Sequence, residues 1–590
     1  MRGPGTSTRE VLRALTARFR LLVPALIVAI PPFIWVRDGT YRASLTTLGR
    51  DQGIFQYIAW AVTQGDVDYR DVRDVNGPLT HLVHMVFLAL GGRDEHRYRV
   101  LDLATTGLTF AIVGACLPGI ARAALGGKTR PVPTWAERAA WAFAAWVVLS
   151  AQYLMFLYWD LAQRENFCDW FLLPSVGLQL VAQGRMRDGR SGRVLLAVAG
   201  LLSAIPWFGK PTFVFFTAAQ VLCLLLDHEV RMRLSRRLAI FGAGAAVGAG
   251  ALLAFLVTYG DVHAFLHVSI VDVPAMYRFM MPRLPTEILA LSWGGVRSAL
   301  AAVTSLVMIA LILDDQLPRR ALAVALLPMC GLASVIAQGK GFPYHFHPVS
   351  AGLSLQWLLL VVWATERFGS RRGVVARVLP FAAAGALAMR VSALMATSPH
   401  VTALWLIDRG TTAELREGRP YVDAFKDSDF FPWEMRQAAA YLKEHTRPDE
   451  RVQLYAMDPY VLFLAERRSA TPYIYAYDLN ADAALAGSWT TEGIHPTAAQ
   501  AEHIRAIRDD HETDLLERLQ KKPPAAFVFI DKAPLMTWED SYYDFKMHNP
   551  RAGAWVDARY TETMAFGEVR IFFRNDRVPD APEMVPSPAQ

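Results

Sequence analysis

The sequence predicts a polytopic α-helical membrane protein carrying an α/β domain at its C-terminal end. Of 590 residues, 53% are hydrophobic and only 19% charged, a balance outside the soluble range. The apolar residues come in blocks of roughly 16–24, each able to cross ~30 Å of hydrocarbon. These blocks stop at about Thr397, after which the composition turns ordinary. The arginines gather at alternate ends of the blocks, the positive-inside pattern. The net charge of +6 therefore speaks for membrane topology and against nucleic acid.

The cluster Arg2, Arg9, Arg13, Arg18 and Arg20 precedes a first span at 21–36. No small-residue cleavage site follows it, so it reads as an uncleaved first span and not a signal peptide. The run His81–Leu90 is apolar but too short to cross, in the range of an interfacial or re-entrant helix. It reads as a partial helix at the outer face, with His81 and His84 as interfacial residues. Further spans fall near 100–121, 139–157, 167–183, 194–208, 212–227, 238–259, 296–313, 321–338, 347–365 and 374–396, about eleven in all. Basic clusters at Arg122, Lys128, Arg130 and Arg138, at Arg185–Arg193, Arg231–Arg237, Arg319 and Arg320, and Arg367–Arg377 then lie inside. The C-terminal domain lies outside. Cys116, Cys168, Cys223 and Cys330 fall in or at the ends of spans, match no zinc spacing and read as small core residues.

The organisation is thus 1–400 as a membrane domain whose outer loops carry the site, 410–577 as a soluble extracytoplasmic α/β domain, and 578–590 as a disordered tail. In the soluble part WEMRQAAAYLKEH, DPYVLFLAERR and AEHIRAIRDDHETDLLERLQKK read as helices. RVQLYAM, ATPYIYAY, AAFVFID and VRIFFR read as strands. The alternation favours a partly parallel, Rossmann-like layering. No G-x-G-x-x-G follows a strand, which leaves nucleotide binding unsupported.

The outer loops carry the charges. The first holds Asp51 and the run Asp66, Asp68, Asp71 and Asp74, read as loop solvation and turn residues apart from Asp51. Asp51 stands nearest the membrane and opens the helical run FQYIAWAV. The second loop, YWDLAQRENF, holds Asp160, Arg164 and Glu165; later span ends bring Lys210, Lys340 and His345. Charge at membrane depth is costly and points to function. His263 and His267 share i,i+4 spacing but no third ligand is in view, so no metal site is read there.

An acid after span one, a Pro-Leu turn into a short helix, a second acidic loop, then Lys and Tyr-His near later spans together resemble the GT-C class of polytopic glycosyltransferases. That class includes protein O-mannosyltransferases, lipid A aminoarabinose transferases and the catalytic subunit of oligosaccharyltransferase. The nearest resemblance is to bacterial mannosyltransferase-like members, carried by AQRENF at Ala162–Phe167 and by Lys340, Gly341, Tyr344, His345 and Pro348. It covers about the first 400 residues. It implies a polyprenyl-phosphate-linked sugar donor, a hydroxyl-bearing acceptor (glycan, lipid or protein) and a multi-pass home in the bacterial inner membrane. Asp51 matches the family's first-loop acid. Where members often carry Asp-Glu, this chain has Asp51 and Gln52, leaving one carboxylate in the pair. Asp160 and Glu165 match the second acidic loop, which binds a divalent metal in some members and orients the acceptor in others; the residues alone name no cofactor.

Transfer from a lipid phosphate builds negative charge on the departing group, which cations can stabilise. Arg164, Lys210, Lys340 and His345 are the candidates for that clamp. The acceptor hydroxyl must lose its proton, which suits Asp51 as general base, with inversion at the anomeric carbon. Two other classes stay open. A transporter or flippase of lipid-linked sugars would favour repeats and broken helices. A receptor would leave the acids of the first two loops unexplained.

Overall fold

The computed structural model describes residues 8–120, 133–156, 158–292, 294–368, 374–397 and 412–578. Arg2, Arg122, Lys128, Arg130, Arg371, Arg372 and the tail from 579 lie outside the described residues.

Each expected span falls on a helix: Thr8–Ser44, Glu95–Cys116, Trp135–Leu154, Arg164–Arg187, Arg193–Ala204, Val214–Leu226, Leu234–Tyr259, Val296–Leu313, Leu322–Gln338, His347–Phe368 and Val374–Thr397. Among the described residues, seven helices are long and apolar enough to cross a membrane. Trp135–Leu154, Arg164–Arg187 and the shorter pair Arg193–Ala204 and Val214–Leu226 fall outside that set. Arg164–Arg187 does so because its polar side chains, among them Glu165, Asp169, Gln179 and Gln183, are turned into the bundle and buried. Pro206 and Pro211 break the chain between the shorter pair and leave Lys210 at the break. All four cysteines are free.

The C-terminal domain carries a four-stranded sheet: β1 (Val452–Tyr455), β2 (Ala526–Ile530), β3 (Tyr560–Phe566) and β4 (Val569–Arg574). The order is β1-β2-β4-β3, with β1 and β2 parallel and the remaining pairs antiparallel. The helices Pro432–His445, Tyr460–Ala465 and Ala498–Lys521 match the expected ones. ATPYIYAY is no strand. Pro472 cannot donate to a ladder, its carbonyl accepts instead from Arg73 N at 3.0 Å, and a short helix begins at Tyr477. The edge strand β3 escapes the sequence because its exposed, polar pattern carries little apolar alternation.

One apolar core runs from membrane helices (Ala25, Trp141, Leu355) through Phe55 and Ile58 into the C-terminal domain (Phe430, Tyr460, Val528). The loop after the first membrane helix lies within this arrangement, and much of it is buried. Asp68, Asp74, His81 and His84 are fully buried and Asp66 nearly so, which corrects the reading of these acids as loop solvation and of the histidines as interfacial. For Asp66 and Asp74 the cause is the C-terminal domain, which sits on the loop, whereas His84 is packed by Phe55, Tyr98 and Phe167. Arg451 and Arg468 hold Asp66 at 2.6 and 3.2 Å. Tyr475 donates to Asp74 at 3.0 Å, and Arg73 reaches Asp478 at 3.1 Å. The partial helix appears as expected, at Pro78–Gly91.

Candidate active site

The helix Arg50–Thr63 begins right after Gly49 and puts Asp51 in its first turn, where the helix dipole favours negative charge. Two glycines let it close on its neighbours. A Cβ at Gly49 would lie 2.5 Å from Trp159 Cβ, and one at Gly53 would lie 2.8 Å from Tyr460. Gln52 is buried; its carbonyl accepts from Gly49 N at 2.8 Å while its amide donates to Trp159 O at 2.7 Å and Leu161 O at 2.6 Å. A glutamate could not donate these two bonds. Gln52 thus ties the first acidic loop to the second.

A cavity of about 690 Å³ opens between the membrane helices and the C-terminal domain. Asp51 and Asp160 line it, and neither side chain makes a hydrogen bond or ion pair with another described residue. Burial, then the charges of Asp51 and Glu165, push the Asp160 carboxyl up to about 7. Arg164 and Lys340 line the same cavity. Arg164 donates to Asn76 Oδ1 and, at 2.7 Å, to Tyr344 OH, leaving Nε without a partner. Its guanidinium lies 5.7 Å from the Phe55 ring centroid and 5.2 Å from that of Tyr344. Lys340 donates to the carbonyls of Tyr277 (2.8 Å), Arg278 (3.3 Å) and Met280. Burial, then the charge of Lys210, push its amine down to about 7.

Glu165, Lys210 and His345 form a second, buried group beside the first. Lys210 Nζ lies 3.4 Å and His345 Nε2 3.7 Å from Glu165 Oε1, beyond good hydrogen-bonding distance, and both carboxylate oxygens of Glu165 lack a hydrogen bond. The seven residues expected at the site therefore fall into four on the cavity wall and three in this adjoining cluster.

Three features escaped the sequence. Arg50 donates to Asp458 Oδ1 at 2.9 Å and to Asp429 Oδ1 at 3.1 Å, pinning the helix Arg50–Thr63 to the C-terminal domain. Behind Arg164 runs a polar chain: Asn76 donates to Asp74 at 2.8 Å, and Asp74 and Asp68 flank the His81 ring at 2.8 and 2.7 Å. Burial opposes the imidazolium, but the charge of Asp68 and the hydrogen bonds to both carboxylates outweigh it and raise His81 to about 10. Finally, the C-terminal domain lines the cavity with Asp427, Asp429, Tyr475, Tyr477 and Trp489. The first and third depend on contacts across long sequence separations, and the polar chain on a burial that its polar residues do not announce.

For a divalent metal, Asp51, Asp160 and Glu165 are not drawn together. Among the described residues, the group of three metal-capable side chains that converges within 4.8 Å is Asp482, Asp544 and His548. There Asp544 already accepts from Tyr455 OH at 2.6 Å and Thr537 N at 3.1 Å.

No protein-family model and no curated protein sequence matches the chain. Among solved structures it is similar to ArnT from Cupriavidus metallidurans bound to undecaprenyl phosphate, at 13% identity and a TM-score of 0.48, over 93% of this chain and 97% of that one. It is also similar to the archaeal oligosaccharyltransferase AglB from Archaeoglobus fulgidus in complex with an inhibitory peptide and a dolichol-phosphate. There the identity is 12% and the TM-score 0.39, over 97% of this chain and 75% of that one. The Archaeoglobus fulgidus oligosaccharyltransferase in complex with Zn and sulfate aligns at 13% identity and a TM-score of 0.41, over 87% of this chain and 68% of that one. Likenesses at this level leave the chemistry to the residues themselves.

Proposed function

We propose that this chain is an inverting glycosyltransferase that moves a sugar from a polyprenyl-phosphate donor to a hydroxyl acceptor at the outer face of a bacterial inner membrane. The observation that carries the reading is the division of one cavity between unpartnered carboxylates, Asp51 and Asp160, and the cations Arg164 and Lys340. A carboxylate held without a partner is costly unless something that binds there uses it.

In the proposed step the acceptor oxygen attacks the anomeric carbon as the bond from that carbon to the phosphate oxygen breaks. The acceptor proton passes to Asp51, and the electron pair of the broken bond stays on the phosphate. Arg164 meets the charge that builds there, worth more in the transition state than before it. Lys340 joins it by giving up carbonyls of 277–280, and a phosphate dianion would draw its amine back to the charged form. Lys210 and His345 stand beside Glu165 behind this clamp. Asp160, raised to about 7, can in its protonated form donate to an acceptor oxygen. The cation beside Glu165 is Lys210, 3.4 Å away, and the step is written without a metal ion.

The test is transfer of radiolabelled sugar from a polyprenyl-phosphate sugar in proteoliposomes, with translocation of the same lipid followed in the same vesicles. Transfer is the expected result; translocation without transfer would make the protein a flippase. For orientation, Ser428 is exposed at the cavity, and a Ser428→Cys variant should react with an impermeant thiol reagent in intact cells. Labelling only after lysis would put the C-terminal domain inside.

A further inference from the structure

The C-terminal half of the cavity wall has a use for which the transferase step makes no call. Trp489 lines the cavity yet is 75% exposed. Water contact over so large an aromatic surface is unfavourable, and the loop that carries it is built to keep it there. Ser488 N donates to Ile494 O at 2.9 Å, and the His495 ring spans the carbonyls of Ala486 (2.9 Å) and Thr490 (2.8 Å). Gly487 closes the neck at φ +71, where a Cβ would meet Ile494 O at 2.8 Å. A locked loop thus holds a tryptophan out over the cavity.

On the same wall Tyr475 and Tyr477 stack with ring centroids 4.9 Å apart and planes 11° from parallel. The carboxylates of Asp427 and Asp429 also line it. Resting on the transferase reading, we infer that Trp489, the Tyr475–Tyr477 pair and these two aspartates form a binding subsite for a neutral or amine-bearing saccharide, the acceptor of the reaction. Flat aromatic faces accept the C–H faces of a sugar ring, while carboxylates accept from its hydroxyls; a few polar groups set among aromatic walls is the usual make-up of a selective pocket. The charge fits the same occupant. Asp51 and Asp427 line the cavity without an ion pair among the described residues, and Arg50 is committed to Asp429 and Asp458, so an anionic acceptor finds no free cation at this end.

An extended peptide fits less well. The residues of this domain that line the cavity stand outside β1–β4. The outer edge of β1 is already bonded, Val452 N to Arg468 O at 3.0 Å and Ala470 N to Val452 O at 3.3 Å. No free strand edge meets the cavity among the described residues, which removes strand addition as a way to hold a peptide.

The experiment applies fluorescently labelled full-length protein in nanodiscs to an array of neutral, amino and acidic glycans together with unglycosylated peptides. The same samples are tested for undecaprenyl phosphate by native mass spectrometry. Binding should fall on neutral or amino glycans, drop about tenfold or more in Trp489→Ala, as for a central aromatic anchor, and largely survive in Trp489→Phe. Circular dichroism should match wild type for both, since the side chain is exposed. The subsite is overturned if no glycan binds, if acidic glycans or peptides are preferred, or if Trp489→Ala binds as well as wild type. Lipid binding separates the two readings. Glycan binding through Trp489 without any lipid binding would sink the transferase and leave the subsite standing; lipid without glycan would do the reverse.

Discussion

Between Asp51 and Asp74 the chain sets down the same side chain in two opposite surroundings. Asp68 and Asp74 are fully buried and grip the two nitrogens of His81 at 2.7 and 2.8 Å. Asp51, earlier in the same loop, faces a cavity with no partner, as Asp160 does from the second loop. A buried carboxylate is tolerated when it is paired and hydrogen-bonded, and breaking the pair is what hurts. An unpaired one at a cavity stays open to whatever enters it. One loop thus divides its acids between a paired, buried group and one that faces the cavity, and the two should fail in different assays.

The largest effect expected is on turnover. Asp51→Asn keeps size and removes basicity, so transfer should fall roughly 10²–10⁴-fold while donor-lipid binding and melting temperature hold. If Asp51→Asn turns over normally while Asp160→Asn is dead, the base belongs to the second loop.

The paired group should show the opposite profile. His81→Gln leaves two buried carboxylates facing a neutral amide and should cost about 3–5 kcal/mol of stability. The sign with pH follows from the ring. Its folded value, about 10, lies above the ~6.5 of an unfolded histidine. The stabilisation is therefore complete below pH ~6.5 and fades as pH rises through 10. Urea unfolding of both proteins at pH 6 and pH 10 measures it; an equal gap at the two values would mean that His81 acts by packing alone.

Asp160 sits between these cases, exposed to the cavity yet raised to about 7. A carboxyl raised on folding binds more protons folded than unfolded, so wild-type stability should decline between about pH 4 and pH 7 and level off above. Asp160→Asn removes that decline. Its unfolding free energy should exceed wild type by a margin that grows over this window, on the order of a few kcal/mol at most. A margin independent of pH would show that Asp160 is ionised throughout.

Local pattern carried much of this into the sequence. Apolar block length located the helices, and the ten-residue limit on His81–Leu90 kept the order of the spans, because both depend on near neighbours only. Asp51, Asp160, Arg164 and Lys340 were legible as charges at span ends, where the apolar background makes a charge conspicuous. What was not legible depended on docking. Asp66 and Asp74 look like any polar turn until the C-terminal domain brings Arg451, Arg468 and Tyr475 onto them. Trp489 is one tryptophan among 16 in the chain, and only the closed loop around it sets it apart.

The smallest effect tests where the division within the loop ends. Asp71 stands between Asp68 and Asp74 in sequence but belongs to neither group. It pairs at 2.8 Å with Arg70, itself half exposed, and accepts from Val67 N at 2.9 Å. Exposed pairs contribute little and are screened by salt, and an asparagine carbonyl can still accept from Val67. Asp71→Asn should therefore cost under about 1 kcal/mol, shrink further in high salt, and leave transfer untouched. A loss of stability matching that of His81→Gln would extend the buried network to Asp71. A loss of transfer at unchanged stability would bring Asp71 into the site and move the boundary between the structural and the chemical acids of this loop.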